Sequence, residues 1–189
     1  GFIETISLDV TDASSCAEAV RYVIEKEGRI DILINNAGFG IAGPIELTSD
    51  EEMIAQYETN FFGAVRMCRE VLPHMRSNKG GTIINISSVA ASVPIPFQAL
   101  YSSGKLALES VSRALALEVK KFNIKVSSIE FGDMKTEFTE NRQIVKAAVE
   151  DEKTERIYTD VFNRSLQTME KDEQNGPEPD GAAMLIYKV

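Results

Sequence analysis

Apolar and polar positions along this chain follow two rhythms. Short apolar runs come first: Thr5-Ile-Ser-Leu-Asp9-Val10, Ile30-Asp-Ile-Leu-Ile-Asn35, Thr82-Ile-Ile-Asn-Ile-Ser87 and Lys125-Val-Ser-Ser-Ile-Glu-Phe131. Their length and β-branched content predict strands, and the run at 30–35 is apolar enough to be buried on both faces. Between them the apolar positions recur at helical spacing, as in Leu106, Leu108, Val111, Leu115 and Leu117. The predicted helices run from Ser14 or Ser15 to about Glu27, from Asp50 to about Arg76, from Gln98 to about Lys121 and from Asp180 to Val189. A serine N-cap starts the first of these and Gly28 stops it. Ser49-Asp-Glu-Glu52 is a capping box for the second. Strands alternating with helices read as an open α/β sheet, which keeps its sites where strand ends face helix starts.

One such junction carries candidate chemistry. Tyr101 and Lys105 are four residues apart on the predicted helix 98–121, so they share a face. A free tyrosine has a pKa of roughly 10, and a nearby cation lowers it towards the range of a useful acid or base. Ser88 lies thirteen residues before Tyr101, at the end of the strand 82–87. Ser87 and Ser88 are adjacent on an extended strand and point to opposite faces, so only one can meet Tyr101.

A serine thirteen residues before a Tyr-x-x-x-Lys resembles the short-chain dehydrogenase/reductase family, and that spacing selects Ser88 over a structural Ser87. Asn35-Asn36-Ala37-Gly38, after the second strand, is a further match, as are Asn60 within the helix 50–76 and Leu8-Asp9-Val10-Thr11-Asp12. The resemblance implies a doubly wound parallel sheet, the Rossmann fold, and a nicotinamide cofactor, NADP or NAD. It assigns catalysis to Asn60, Ser88, Tyr101 and Lys105. Tyr101 exchanges the hydroxyl proton. Lys105 lowers its pKa and binds the nicotinamide ribose. Ser88 bonds the substrate oxygen. Asn60 disturbs the helix that carries it, and its backbone carbonyl holds a water in contact with Lys105.

The same resemblance assigns cofactor contacts. Asp9 and Val10 meet the adenine, and Asn36, Ala37 and Gly38 border the adenosine ribose. Gly132, Met134 and Thr136 lie near the nicotinamide amide and pyrophosphate. Phe131 stands where the family usually has proline. The pattern Ile-Glu-x-Gly-x-x-x-Thr is similar to the hydroxysteroid- and retinol-dehydrogenase-like branch. Gly38-Phe-Gly40-Ile-Ala-Gly43 spells G-x-G-x-x-G after a strand, but Pro44-Ile-Glu-Leu-Thr48 follows where the phosphate-binding motif needs a helix. It is expected to be a flexible surface loop beside the substrate.

The implied activity is an oxidoreductase interconverting an alcohol and a ketone or aldehyde, with an apolar small-molecule substrate. An extended-branch epimerase or dehydratase shares Tyr-x-x-x-Lys, and a non-catalytic binding or regulatory relative is the third reading. The long helices at 49–76 and 98–121 are the family's usual contact surface and imply a homodimer or homotetramer. Residues 133–180 hold thirteen acidic and seven basic residues; in the family such a stretch is a mobile lid over the substrate.

Charge and composition narrow the choice. A net charge of −9 argues against nucleic-acid and anionic-membrane partners. No apolar run is long enough to span a bilayer. His74 is the only histidine, which argues against a His-based metal site or a Ser-His-Asp triad. Cys16 and Cys68 form no motif and fit a reducing, cytoplasmic compartment. The whole of 1–189 is expected to be one Rossmann-type domain truncated at both ends. The family order 3-2-1-4-5-6-7 makes Thr5–Val10 the third strand, so two strands and a Thr-Gly-x-x-x-Gly-x-Gly loop are expected before residue 1 and a strand after Val189.

Overall fold

The computed structural model of the chain describes residues 3–150 and 155–189. Its centre is a parallel sheet of three strands, β1 (Ile32–Asn35), β3 (Gly81–Ser88) and β4 (Ile124–Phe131), in the order β1-β3-β4. Register places Leu33, Ile83 and Val126 side by side, and Asn35, Asn85 and Ser128 likewise. Both rows face the same way, because residues two apart share a face. Over the first row lie α1 (Ala13–Glu27) and α3 (Ala64–Ser77), which bury Cys16, Val20, Met67, Val71 and Met75 with Ile83. Next to them α4 (Ala99–Val119) packs on β3 and β4. Parallel strands joined through helices make this the Rossmann α/β fold, with its ligand edge at the carboxyl ends of the strands.

Several sequence expectations change here. Thr5–Val10 forms no strand; the described residues offer its backbone no neighbouring strand to pair with, and residues 3–9 are exposed. The strand at 30–35 is not buried on both faces. Ile32 and Ile34 point away from α1 and α3 and are 58% and 46% exposed, because no described helix covers that side of β1. The first helix is capped by Asp12, whose carboxylate accepts from the Ser14 N–H at 2.8 Å, rather than by a serine. Gly28 does end it, in the left-handed region at φ 78°.

The long helix 50–76 is broken. The Ser49–Glu52 capping box starts α2 (Asp50–Tyr57), a π-helical stretch follows over Glu58–Gly63, and α3 resumes the ordinary helix. Gly38–Gly43 is not a flexible surface loop. Ile41–Ala42 is a short strand, β2, paired in parallel with β5 (Gln143–Ile144), and both of its residues are buried. No helix opens on this loop; a single 3-10 turn, Ile45–Leu47, follows it.

After β5 come α5 (Lys146–Glu150), α6 (Glu155–Gln174) and α7 (Asp180–Tyr187). Phe162 and Tyr158 of α6 pack their rings against Phe97. Residues 151–154 of the expected lid lie outside the described residues. Cys16 and Cys68 are free thiols in the core. Among the described residues no helix is long and apolar enough to cross a membrane.

Candidate active site

The carboxyl ends of β1, β3 and β4 meet the start of α4 around a cleft of about 520 Å³. Three of the four expected catalytic residues line it: Ser88, Tyr101 and Lys105. Ser88 is the last residue of β3, and its Oγ accepts from the Ala90 N–H at 3.1 Å, which turns the chain out of the strand. Tyr101 sits in the first turn of α4 and is only 8% exposed. Burial pushes its phenol above the ordinary value, and the nearby Ser88 hydroxyl pulls it partly back.

Lys105 lies one turn further along α4. Its Nζ donates to the Ile86 carbonyl at 2.8 Å and stands 5.7 Å from the centroid of the Tyr101 ring. Burial lowers the ammonium from its ordinary value to about 8. The Tyr101 pKa, expected to be lowered beside Lys105, is instead raised by burial. The contributions that lower it come from Ser88 and Arg142, while the Lys105 charge is turned to a backbone carbonyl.

Asn60 stands behind the cleft, with its side chain bonded to the Phe39 backbone. Its Oδ1 accepts from the Phe39 N–H at 3.0 Å, and its Nδ2 donates to the Phe39 carbonyl at 2.8 Å. Gln56, one turn earlier and fully buried, adds two more bonds. Its Oε1 accepts from the Ile41 N–H and its Nε2 donates to the Phe39 carbonyl, both at 2.8 Å. The π-stretch starts directly after α2, and the two amides clamp the Phe39–Ile41 backbone. Such turns inside helices recur at functional sites. Sequence reasoning missed Gln56. Its signal was an amide four residues before Asn60, hence on the same face.

The expected cofactor residues divide into two groups. Asn36, Gly38, Gly132, Met134 and Thr136 line the cleft. Asp9, Val10 and Ala37 do not. The Asp9 carboxylate is turned to the Thr11 backbone N–H and hydroxyl, at 2.9 and 2.7 Å. Val10 packs against Gly63, and its carbonyl accepts from Arg66 at 3.2 Å.

The cleft residues fit a nicotinamide cofactor. A Cβ at Gly38 would come within 3.3 Å of Asn60 Oδ1 and 3.7 Å of Lys105 Nζ, so only glycine keeps this backbone flush with the cleft. An ammonium has three donors, and Lys105 commits one to Ile86. The others would hold ribose hydroxyls.

Buried polar groups steady the site. Asn35 Nδ2 donates to Asn85 Oδ1, and Asn85 Nδ2 donates to Ser112 Oγ, both at 2.8 Å, tying β1 to β3 and α4. On the substrate side Phe138 packs against Tyr101 with the ring planes tilted by 57° and centroids 5.6 Å apart. Behind it Arg142, 2% exposed at its side chain, pairs with Glu173 of α6, which also accepts from Thr139 Oγ1 at 2.5 Å. Gln98, Ile95 and Ser87 complete the wall. Ser87, expected to be structural, thus reaches the same cleft. None of Phe138, Arg142 and Gln98 carries a motif, and the sequence reading passed over them.

Residues 2–146 match the model of the short chain dehydrogenase family. A curated relative, the 3-ketodihydrosphingosine reductase of Bacteroides thetaiotaomicron, is 46% identical over 189 residues, covering all of this chain and 69% of that protein. A short-chain dehydrogenase from Streptomyces avermitilis superposes with a TM-score of 0.82 at 32% identity, covering 97% of this chain and 64% of that one. The 3-ketoacyl-(acyl-carrier-protein) reductase of Brucella melitensis, solved with NADH, does so at 0.70 and 30% identity, over 72% and 58% of the two chains. The chain thus spans roughly two thirds of the length of these relatives.

Proposed function

This chain belongs to the short-chain dehydrogenase family, and from that premise we propose that it carries the catalytic residues of an NAD(P)-dependent oxidoreductase interconverting a ketone and a secondary alcohol. The observation that carries the reading is the meeting of Ser88, Tyr101 and Lys105 in one cleft at the sheet's carboxyl edge. Ser88 would hydrogen-bond the substrate oxygen and steady the charge that develops on it. Tyr101 would give its phenolic proton to that oxygen during reduction, or take it back during oxidation. Lys105 would orient the cofactor ribose, and the Asn60 and Gln56 clamp would hold the Phe39–Ile41 backbone beside it. The nicotinamide, when bound, delivers or accepts the hydride.

Ketone reduction needs the Tyr101 phenol protonated. A buried phenol with a raised pKa stays protonated through neutrality and can act as the acid. Ile95, Met134, Phe138 and Pro179 make the substrate wall apolar. Together with the 46% identical relative, this favours a long-chain 3-keto substrate. The segment 133–180 is read as the lid within a single domain. Ile54, Phe62, Leu106 and Leu117, exposed on the π-interrupted helix and on α4, are read as part of a homodimer or tetramer surface.

The test is to incubate the protein with NADPH or NADH and a long-chain 3-keto amino alcohol, following cofactor oxidation and product. Turnover supports the reading. No turnover with any ketone of a graded panel, in a protein that binds the cofactor, would refute it.

A further inference from the structure

Phe97 holds a backbone conformation that a bulky side chain rarely adopts. Its φ is 62°, and it is the one aromatic among the described non-glycine residues in the left-handed region, the others being Lys79 and Asn123. There the Cβ crowds the backbone carbonyl, a penalty that glycine escapes. Such a conformation persists only where its surroundings hold it, and it gathers at functional sites.

The surroundings hold Phe97 from two sides. Its carbonyl accepts from the Gly43 N–H at 2.8 Å, which fixes the backbone just beyond β2. Its ring meets two rings of α6, Phe162 with centroids 5.3 Å apart and Tyr158 edge-on at 6.4 Å. Phe162 is buried, and the Tyr158 hydroxyl donates to Glu46 Oε2 at 2.6 Å, which anchors α6. None of these three rings is among the described residues that line the cleft.

The link from Phe97 to the site is short and stiff. The Gln98 N–H donates to the Ile95 carbonyl at 3.1 Å, the Ser102 N–H donates to the Gln98 carbonyl at 2.9 Å, and α4 begins at Ala99. Tyr101 follows four residues after Phe97, in the first turn. A rotation at Phe97 therefore swings the start of α4 and the phenol it carries. A misplacement of about 1 Å can cost a catalytic group roughly 100-fold in rate.

We propose that Phe97 is a positioning residue for Tyr101. The clasp made by Tyr158 and Phe162 keeps Phe97 left-handed, so the docking of α6 sets where the phenol stands. The kinetic test rests on the ketone-reductase reading above, and a second readout does not.

Phe97→Ala and Phe97→Gly remove the same ring and differ by one methyl group. Alanine is driven out of the left-handed region, whereas glycine keeps it freely. Phe97→Ala is expected to lose about 10- to 100-fold in kcat, with KM little changed, and Phe97→Gly to keep a kcat several-fold above it. A ring that only packs predicts the opposite order, because glycine adds chain freedom that alanine does not. Phe162→Ala is expected to lower kcat in the wild-type background and much less beside Phe97→Gly, where no clasp is needed. Phe162→Leu stands in if the alanine variant does not fold. The second readout is hydrogen exchange at the Ser102 amide, expected to be faster in Phe97→Ala than in Phe97→Gly. A Phe97→Gly protein no better than Phe97→Ala in kcat overturns the proposal and leaves the ketone-reductase reading intact. If wild type binds cofactor and reduces no ketone, that reading fails and the exchange order alone decides: faster exchange in the alanine variant supports the positioning role, and equal or reversed exchange overturns it.

Discussion

Asn60 and Phe39 hold each other twice, the Phe39 N–H donating to Asn60 Oδ1 at 3.0 Å and Asn60 Nδ2 donating to the Phe39 carbonyl at 2.8 Å. Asn60 is 1% exposed, so neither bond is open to water. Replacing it with alanine leaves its own backbone carbonyl in place but removes both bonds, so that the Phe39 N–H loses its partner and the Phe39 carbonyl keeps only Gln56 Nε2. Asn60→Ala is expected to cost roughly 1–3 kcal/mol of stability in denaturant melts, with weaker cofactor binding as the Gly38–Phe39 backbone loosens. Full stability in that variant would contradict the clamp.

Ser87 and Ser88 both line the cleft, but Ser88 is the one that acts on the Tyr101 phenol. Ser88→Ala is expected to lower kcat by about 100- to 1,000-fold, the scale of a lost donor at a developing oxyanion. Ser87→Ala is expected to change kcat much less. Steady-state kinetics on the two variants checks the order.

Lys105 makes stability depend on pH. Its folded pKa is depressed from 10.5 to about 8 by burial. Between these values the unfolded chain binds more protons than the folded one, so the folded state gains stability as pH rises through that window. The charged lysine is a standing cost below it. Lys105→Met removes the dependence. Wild type is expected to gain up to about 3 kcal/mol on the variant between neutral pH and the upper end of the window. Parallel melts at the two ends measure this, and parallel pH curves for the two proteins would contradict it.

Tyr101 sets the pH dependence of the two directions. Its raised pKa keeps the phenol protonated through neutrality. Ketone reduction is expected to be flat across neutral pH and to fall only on the alkaline side. Alcohol oxidation, which needs the phenolate as base, is expected to rise with pH throughout. Initial rates in both directions over a pH series check the pair of slopes.

Much of this site was legible because its chemistry is tied to spacing. The thirteen-residue gap from Ser88 to Tyr101 and the four-residue step to Lys105 place a strand end against a helix face, and the structure brings all three into one cleft. The three central strands were equally legible, since continuous apolar runs between helices have few other solutions. What escaped depends on tertiary partners. Thr5–Val10 has the composition of a strand but pairs with none among the described residues. Gly38–Gly43 reads as loop by its glycines and proline, yet β5, a hundred residues away, pairs with it. The π-stretch at Glu58–Gly63 falls where Asn60 was expected to disturb the helix, but its physical reason, the bonding of Gln56 and Asn60 to a distant backbone, was hidden. The direction in which the Lys105 ammonium points was hidden for the same reason, because the Ile86 carbonyl that takes it belongs to another element.

The central claim is that the Tyr101 phenol is the proton donor and acceptor. The most direct measurement is the turnover of Tyr101→Phe beside its cofactor affinity, since the substitution removes one oxygen and keeps the ring that packs on Phe138. The account predicts a fall in kcat of about 100- to 10,000-fold, the range for loss of a general acid, with cofactor affinity and melting temperature near wild type. A Tyr101→Phe protein that turns over its ketone at close to the wild-type rate would contradict it.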